Sequence, residues 1–227
     1  RQRAQAHEKG ADSDFSADPQ NWKVYVSKEQ MQERWGDSYQ AYYEKLTEVI
    51  NSIAGQTLQS NGELIDATYF AISSGKTESS EDVWGGKLDY LVPVASPGDL
   101  FASGYQTTAS FSAEEFQNAV REKAPNADFS SDPSSWVGTY DRTNSGTVKY
   151  VTIGGQEVDG DDIRSAFGLR SSDFTIAYAD GIFTFTVLGY GHGVGMSQTG
   201  AQFMAQQGSD YQEILAWYYP NTTLAPL

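Results

Sequence analysis

The chain has 227 residues, of which 39% are hydrophobic, and its 30 acidic residues against 15 lysines and arginines give a formal net charge of −15. This charge excludes nucleic acid as a natural partner and disfavours anionic surfaces, because like charges repel. The absence of cysteine excludes disulfides, thiolate metal sites and cysteine nucleophiles within the chain.

The first part of the chain predicts helices followed by a hairpin. Capping boxes, in which two side chains three residues apart bond each other's backbone, mark two helix starts. Residues 1–9 are predicted to be the end of a helix that stops at Gly10. A second helix is predicted to start at the capping box Ser27 with Gln30. A third is predicted to start at the capping box Asp37 with Gln40 and to end at Gly55. The predicted strands are Lys23–Val26, Gln56–Ser60 and Leu64–Ile72, the last two joined at the hairpin dipeptide Asn61-Gly62.

The second part of the chain begins with a mostly irregular stretch over residues 73–100, which is rich in glycine and proline. The elements predicted after it are a helix over Ser112–Lys123, strands over Trp136–Arg142 and Thr147–Ile153, a helix over Asp161–Phe167, a hairpin of Thr175–Ala179 with Ile182–Leu188, and helices over Gly200–Gln207 and Tyr211–Tyr218. Mixed helices and antiparallel hairpins indicate an α+β fold. We expect one large domain over residues 1–227, with residues 105–180 as a candidate inserted subdomain.

One segment that could carry chemistry is GYGHGVGMSQTGA, residues 189–201, with glycine at every second position from Gly189 to Gly195. Glycine allows backbone to approach backbone or ligand closely. His192, Ser197 and Gln198 are polar groups that would suit a sugar-binding loop. The alternative is a tight structural turn in which His192 bonds to the backbone, and the spacing alone does not decide between the two.

A second segment is SSGKTESSEDVWGG, residues 73–86, in which serines, carboxylates, a lysine and an indole share one loop. Such a loop suits carbohydrate, because an indole stacks on a sugar ring and carboxylates bond its hydroxyl groups. The alternative is a solvated acidic loop with Trp84 filling the core. A serine-histidine-aspartate triad or a carboxylate pair of glycosidase type has little support from these spacings, and no metal-binding motif occurs.

These two segments carry a family resemblance that extends over most of the chain. The stretch GHGVGMSQTGAQFMAQQGSDYQEILAWYYPNTTL closely resembles the signature of the stage II sporulation protein D (SpoIID/LytB) family, and AISSGKTESSEDVWGG resembles a second signature. Leu169-Arg170-Ser171 matches a third, weaker one. By this resemblance, the residues expected to bind substrate are Ser73, Ser74, Lys76, Thr77, Glu78, Trp84, His192, Ser197 and Gln198.

The resemblance implies a peptidoglycan lytic transglycosylase that cleaves glycan strands without stem peptides between N-acetylmuramic acid and N-acetylglucosamine. In the family a glutamate in a Glu-Met-Pro motif is the acid, and no such motif occurs in these 227 residues. We therefore expect that glutamate upstream of Arg1, and we expect residues 1–227 to bind glycan without cleaving it. Glu78 is not expected to replace the acid, because Lys76 beside it should hold its carboxylate ionised.

No cofactor is expected, and no metal. Some relatives hold zinc with histidine and cysteine; His7 could match one ligand, but Asn21-Trp22 stands in place of a His-Cys pair. We therefore expect no zinc in the loop Ala11–Asn21, where Ser13, Ser16 and Asn21 are poor zinc ligands.

The expected partners are peptidoglycan glycan strands, with an amidase and other engulfment proteins as further candidates. We expect an extracytoplasmic location at the cell wall, with contact to a membrane only through an anchor upstream of Arg1. One alternative function is a peptidoglycan-binding module without catalysis, or an amidase enhancer. Another is a scaffold within a sporulation engulfment complex.

Overall fold

The computed structural model of the protein describes residues 26–226. The predicted helix end over residues 1–9, the strand Lys23–Val26 apart from its last residue, and the loop considered for zinc lie outside the described residues. The chain divides into two compact units, one of residues 1–64 with 224–227 and one of residues 65–223. No helix within residues 26–226 is long and apolar enough to cross a membrane.

Among its described residues, the first unit contains two α-helices, α1 (Lys28–Trp35) and α2 (Tyr39–Ser52). The capping box at α1 is confirmed, because Gln30 N donates to Ser27 Oγ at 3.3 Å and Ser27 N donates to Gln30 Oε1 at 2.9 Å. The capping box predicted at Asp37 is wrong. A capping residue needs an extended backbone, whereas the chain enters α2 through a 3-10 turn over Gly36–Ser38 whose last residue is already helical.

The hairpin of the first unit is confirmed, with strands β1 (Gln56–Ser60) and β2 (Glu63–Leu64) and a turn in which Asn61 and Gly62 both have positive φ angles. The last strand, β11 (Thr223–Pro226), pairs with β1. The predicted strand Leu64–Ile72 is wrong in extent, because β2 ends at Leu64. Within the second unit Tyr69–Phe70 forms a separate strand, β3, which pairs in parallel with Met196–Ser197, β10. Its partner lies far along the chain, where local sequence patterns do not reach.

The second unit contains two three-stranded antiparallel sheets, ordered β4-β9-β8 and β5-β6-β7. Their strands are β4 (Gln106–Ser112), β5 (Val137–Arg142), β6 (Val148–Ile153), β7 (Gln156–Asp159), β8 (Phe174–Ala179) and β9 (Ile182–Leu188). The helices are α3 (Ser80–Trp84), α4 (Ala113–Lys123), α5 (Gly160–Ala166), α6 (Gln198–Gln206) and α7 (Tyr211–Tyr218). The predicted α+β fold is confirmed, although the sequence patterns missed α3, β4 and β7.

The main core of the second unit packs aromatic rings from α4 and β9 against each other. Phe116 stacks on Phe183 with ring centroids 3.9 Å apart, and both side chains are fully buried. Burial of one such side chain contributes about 1.5–3 kcal/mol to folding. Strand β9, which lies outside residues 105–180, is the central strand between β4 and β8. The inserted subdomain over residues 105–180 stays a prediction.

Candidate functional site

Backbone hydrogen bonds join the two loops that the sequence singled out, residues 73–86 (the acidic loop) and residues 189–198 (the glycine loop). Glu78 N donates to Gly193 O at 2.8 Å, and Tyr190 N donates to the carbonyl oxygen of Ile72, just before the acidic loop, at 2.7 Å. Isolated bridges join Glu78 to Val194 in parallel and Ile72 to Tyr190 in antiparallel. The two loops thus meet at one place, as the sequence predicted.

The glycines of the glycine loop are required by this close approach. At Gly193, where φ is +80°, an added Cβ would lie 3.0 Å from Glu78 Cγ, and at Gly195 it would lie 2.1 Å from Thr68 O. A side chain at Gly193 would push the two loops apart, and one at Gly195 would push the glycine loop away from the segment just before Tyr69–Phe70. The backbone-approach interpretation of the glycine pattern is therefore correct.

The loops enclose a pocket of about 100 Å³ together with residues from β6, β7 and the turns beside them. Its walls combine apolar side chains, such as Ile72 and Val148, with carboxylates and hydroxyl groups. The lining residues that the sequence had singled out are Ser73, Ser74, Lys76, Glu78 and His192. Asp82 of the acidic loop, one of the carboxylates considered for a glycosidase-type pair, also lines the pocket. The lining residues that the sequence had missed include Thr143, Thr147, Lys149, Tyr150, Asp159, Asp161, Ser171, Ser172 and Asp173.

Glu78 is the most unusual group of the pocket, because its side chain is only 2% exposed. Its Oε1 accepts from Thr143 Oγ1 at 2.8 Å and from Thr147 N at 3.3 Å, whereas its buried Oε2 has no hydrogen-bond partner. Burial raises the pKa of Glu78, and the bonds from Thr147 and Thr143 offset this only in part. The expectation that Lys76 lowers the pKa of Glu78 is therefore wrong: Lys76 is exposed, where water screens its charge, and burial raises the pKa instead.

Trp84 and His192 form an aromatic pair beside the pocket, with ring centroids 5.1 Å apart. Trp84 is 50% exposed, so the alternative in which it fills the core is wrong. His192 Nδ1 accepts from Val194 N at 3.1 Å, the backbone bond that the structural alternative foresaw, while the ring also lines the pocket. Burial lowers the pKa of His192, which favours the neutral imidazole.

Asp173 faces Ser74 and Arg142 at another wall of the pocket. Burial raises the pKa of Asp173, and a hydrogen bond with the Ser74 side chain and the charge of Arg142 offset part of that rise. Arg142 Nη1 lies 3.3 Å from Asp173 Oδ1. Ser74 thus faces a protein carboxylate, while Lys76 is an exposed member of the pocket lining.

Ser73 and Ser197 point their hydroxyl groups into the protein, where both donate to Asp99. Thr77 is fully buried and bonds to the backbone of Val92 and Val94. These three side chains support the loops from behind, and Thr77 and Ser197 lie outside the set of described residues that line the pocket. Gln198 lies outside that set as well, exposed in the first turn of α6.

The missed residues come mainly from the turn between β5 and β6 and from the segment before β8. The resemblance is weakest over residues 100–150, so Thr143 and Thr147 carried no motif. Ser171 ended the weak match Leu169-Arg170-Ser171, and that signal could have pointed to the neighbouring Asp173. Within residues 26–226, no group of three or more histidine, aspartate or glutamate side chains is arranged to hold a metal ion. His7, the ligand considered for zinc, lies outside the described residues.

Comparison with known proteins gives the family. No family model matches the chain. It is 37% identical to stage II sporulation protein D of Bacillus subtilis (strain 168) over 209 residues, and 35% identical to that of Bacillus amyloliquefaciens over 208 residues; each match covers 92% of this chain. It is also 27% identical to an amidase enhancer of Bacillus subtilis (strain 168), over 77% of this chain and 32% of the enhancer.

The chain spans 59% of the length of the two sporulation proteins. The loops that meet at the pocket, and the relatives matched along 92% of its length, place the chain in the stage II sporulation protein D family.

Proposed function

We propose that this chain carries the glycan-binding pocket of a sporulation protein that acts on peptidoglycan as a lytic transglycosylase, outside the cytoplasmic membrane. The observation that carries the proposal is the joint pocket of the acidic and glycine loops, with the half-exposed ring of Trp84 beside it. An exposed indole next to a polar pocket suits a neutral sugar, which offers one ring face for stacking and hydroxyl groups for hydrogen bonds.

Within the proposal, residues 1–227 bind a glycan strand without stem peptides but do not cleave it. Cleavage needs a proton at the glycosidic oxygen, and the Glu-Met-Pro motif that carries the family's acid does not occur in these residues. Glu78 is a candidate for a neutral acid in the chain, but its free oxygen is buried, and the pocket that Glu78 lines has only about 100 Å³. Such a pocket suits a substituent of a sugar better than the linkage between two rings.

A second candidate function is a binding module without catalysis that assists an amidase. The match to the amidase enhancer favours it, and an amidase and other engulfment proteins would then be partners. Both candidates use the same pocket for glycan, and they differ only in whether a glycan bond is broken.

Two assays on amidase-treated peptidoglycan test the proposal. Residues 1–227 should be retained in a pull-down with this glycan, and the full-length protein should release products with 1,6-anhydromuramic ends, detected by mass spectrometry. Retention without anhydro ends from the full-length protein would select the binding module. A failure of residues 1–227 to be retained would refute the glycan-binding proposal, and cleavage by residues 1–227 that is lost in Glu78→Gln would make Glu78 the acid.

A further inference from the structure

We propose that Glu78 Oε2 is a hydrogen-bond donor that recognises the acetamido carbonyl oxygen of an N-acetylated sugar in the pocket. The proposal rests on the proposed glycan-binding function and names the chemical group of the ligand that the pocket recognises. Its starting point is the one buried side-chain oxygen of the described residues that lacks a partner, in a residue only 2% exposed. Buried polar atoms are nearly always paired with protein, water or ligand, so an unpaired one in a residue that lines a pocket marks a position where a ligand group could bond.

The hydrogen bonds to Oε1 decide where a proton on Glu78 must be. Thr143 Oγ1 and Thr147 N both donate to Oε1, so this oxygen acts as the carbonyl oxygen of the acid. A neutral Glu78 therefore carries its proton on Oε2, the oxygen that has no partner. The free position is then a donor, and it requires an acceptor on the ligand.

Burial, more than the surrounding charges, favours the neutral acid. The pocket lining holds four further carboxylates, and three of them are ion-paired: Asp82 with Lys149 at 3.5 Å, Asp161 with Arg164 at 3.9 Å and Asp173 with Arg142 at 3.3 Å. Burial and the charge of Asp82 both raise the pKa of Glu78. The titratable groups that face the pocket with it are Lys76, Asp82, Lys149, Tyr150, Asp159, Asp161, Asp173 and His192.

The size and the walls of the pocket favour an acetamido group as its occupant. Pockets that enclose a whole small ligand measure about 300–1,000 Å³, whereas this one has about 100 Å³. An acetamido group is small, carries no charge, presents a strong acceptor oxygen, and has a methyl group that suits the apolar side chains of Ile72, Val83 and Leu188. The lining carboxylates would repel a carboxylate of the glycan or of a stem peptide.

The backbone holds Glu78 in this position independently of any ligand. Glu78 N donates to Gly193 O, and the Cγ atom of Glu78 occupies space that is free only because residue 193 has no side chain. The donor is therefore preorganised, which reduces the entropy lost on binding.

The test uses the tetrasaccharide of two N-acetylglucosamine–N-acetylmuramic acid repeats without stem peptides, with its chemically de-N-acetylated form for comparison. Binding to residues 1–227 is measured by calorimetry from pH 4 to pH 9. Wild-type protein should bind the acetylated form more tightly and should lose affinity about five-fold as Glu78 ionises, which corresponds to one hydrogen bond. Glu78→Gln should bind at all these pH values, because its amide group donates from the Oε2 position without titrating. Since His192 is present in both proteins, the difference between their profiles isolates Glu78.

Two further variants sharpen the result. Glu78→Met, which has no donor, should bind about five-fold more weakly at every pH, and circular dichroism checks that it folds. Glu81→Gln, the same change at an exposed position of α3 outside the lining set, should keep the wild-type pH profile. Loss of binding in Glu78→Gln, preference for the cationic de-N-acetylated form, or a wild-type profile that matches that of Glu78→Gln would each overturn the inference. The proposed function would survive these three results; it fails if wild-type protein binds neither the tetrasaccharide nor amidase-treated peptidoglycan.

Discussion

Ser197 Oγ donates to Asp99 Oδ1 at 2.7 Å and thereby ties the glycine loop to a residue 98 positions earlier in the chain. The other oxygen of the same carboxylate accepts from Ser73 Oγ of the acidic loop at 2.5 Å. All three side chains are buried, and Asp99 is fully so. One buried carboxylate thus fastens both loops of the pocket from behind.

Asp99→Ala should therefore destabilise the protein by about 2–4 kcal/mol, because it removes the acceptor of Ser73 and leaves Ser197 only the longer bond to Ala71 O at 3.4 Å. Urea unfolding measures the change. Asp89→Ala is the control, since Asp89 is exposed and a surface change of this kind stays within about 0.5 kcal/mol. Equal midpoints for the two variants would show that Asp99 does not hold the loops.

Gly200 is packed against a second buried hydrogen bond, the one between Ser96 Oγ and Tyr218 OH at 2.6 Å. A Cβ at Gly200 would lie 2.1 Å from both oxygens. Gly200→Ala should destabilise the protein by about 3 kcal/mol or prevent folding, because overpacking forces these groups apart. Gly86→Ala is the matched control, since an added Cβ there meets nothing within 4 Å. Thermal unfolding of the two variants would contradict the prediction if their Tm values agreed.

The buried Glu78 should make stability depend on pH. Its pKa in the folded protein is raised above the ordinary value of 4.5, so the folded state holds its proton more tightly than the unfolded state does. The resulting stabilisation is fully present below pH 4.5 and is lost as the pH rises through the folded pKa. Glu78→Gln should remove this loss, and it should exceed the wild type in stability near pH 8 but not at pH 4. Urea unfolding at several pH values measures this effect. If the free energies of unfolding of the wild type and of Glu78→Gln changed with pH by the same amount, the pKa of Glu78 would not be raised in the folded protein.

The exposed ring of Trp84 should contribute to glycan affinity rather than to stability. Trp84→Ala is expected to weaken binding of amidase-treated glycan strands about tenfold, from loss of ring stacking, with little change in Tm. Trp217→Ala is the matched control, because Trp217 is 48% exposed against 50% for Trp84, but its ring bonds to Ala95 O, whereas that of Trp84 packs on His192 of the pocket lining. Equal loss of binding in both variants would mean that exposed tryptophans bind the strands without regard to the pocket.

Local patterns predicted most of the regular structure because each of those elements depends on neighbours in sequence. The Ser27–Gln30 capping box and the hairpin turns at Asn61-Gly62 and Asp180-Gly181 all lie where the sequence placed them. The predictions failed where an element depends on distant residues. Strand β3 exists only because Met196 and Ser197 pair with it, and β4 only because β9 lies beside it.

The candidate site shows the same division. The sequence by itself determined the family, the α+β class and the two loops that meet, because motif residues and glycine spacing are local and readable. Only the tertiary structure decided what each side chain does: Ser73 and Ser197 bond to Asp99, Trp84 is exposed, and Glu78 is buried with one oxygen free. The sequence placed Lys76 beside Glu78 and suggested an ionised carboxylate. The fold instead removed Glu78 from water, and desolvation outweighs an exposed charge nearby.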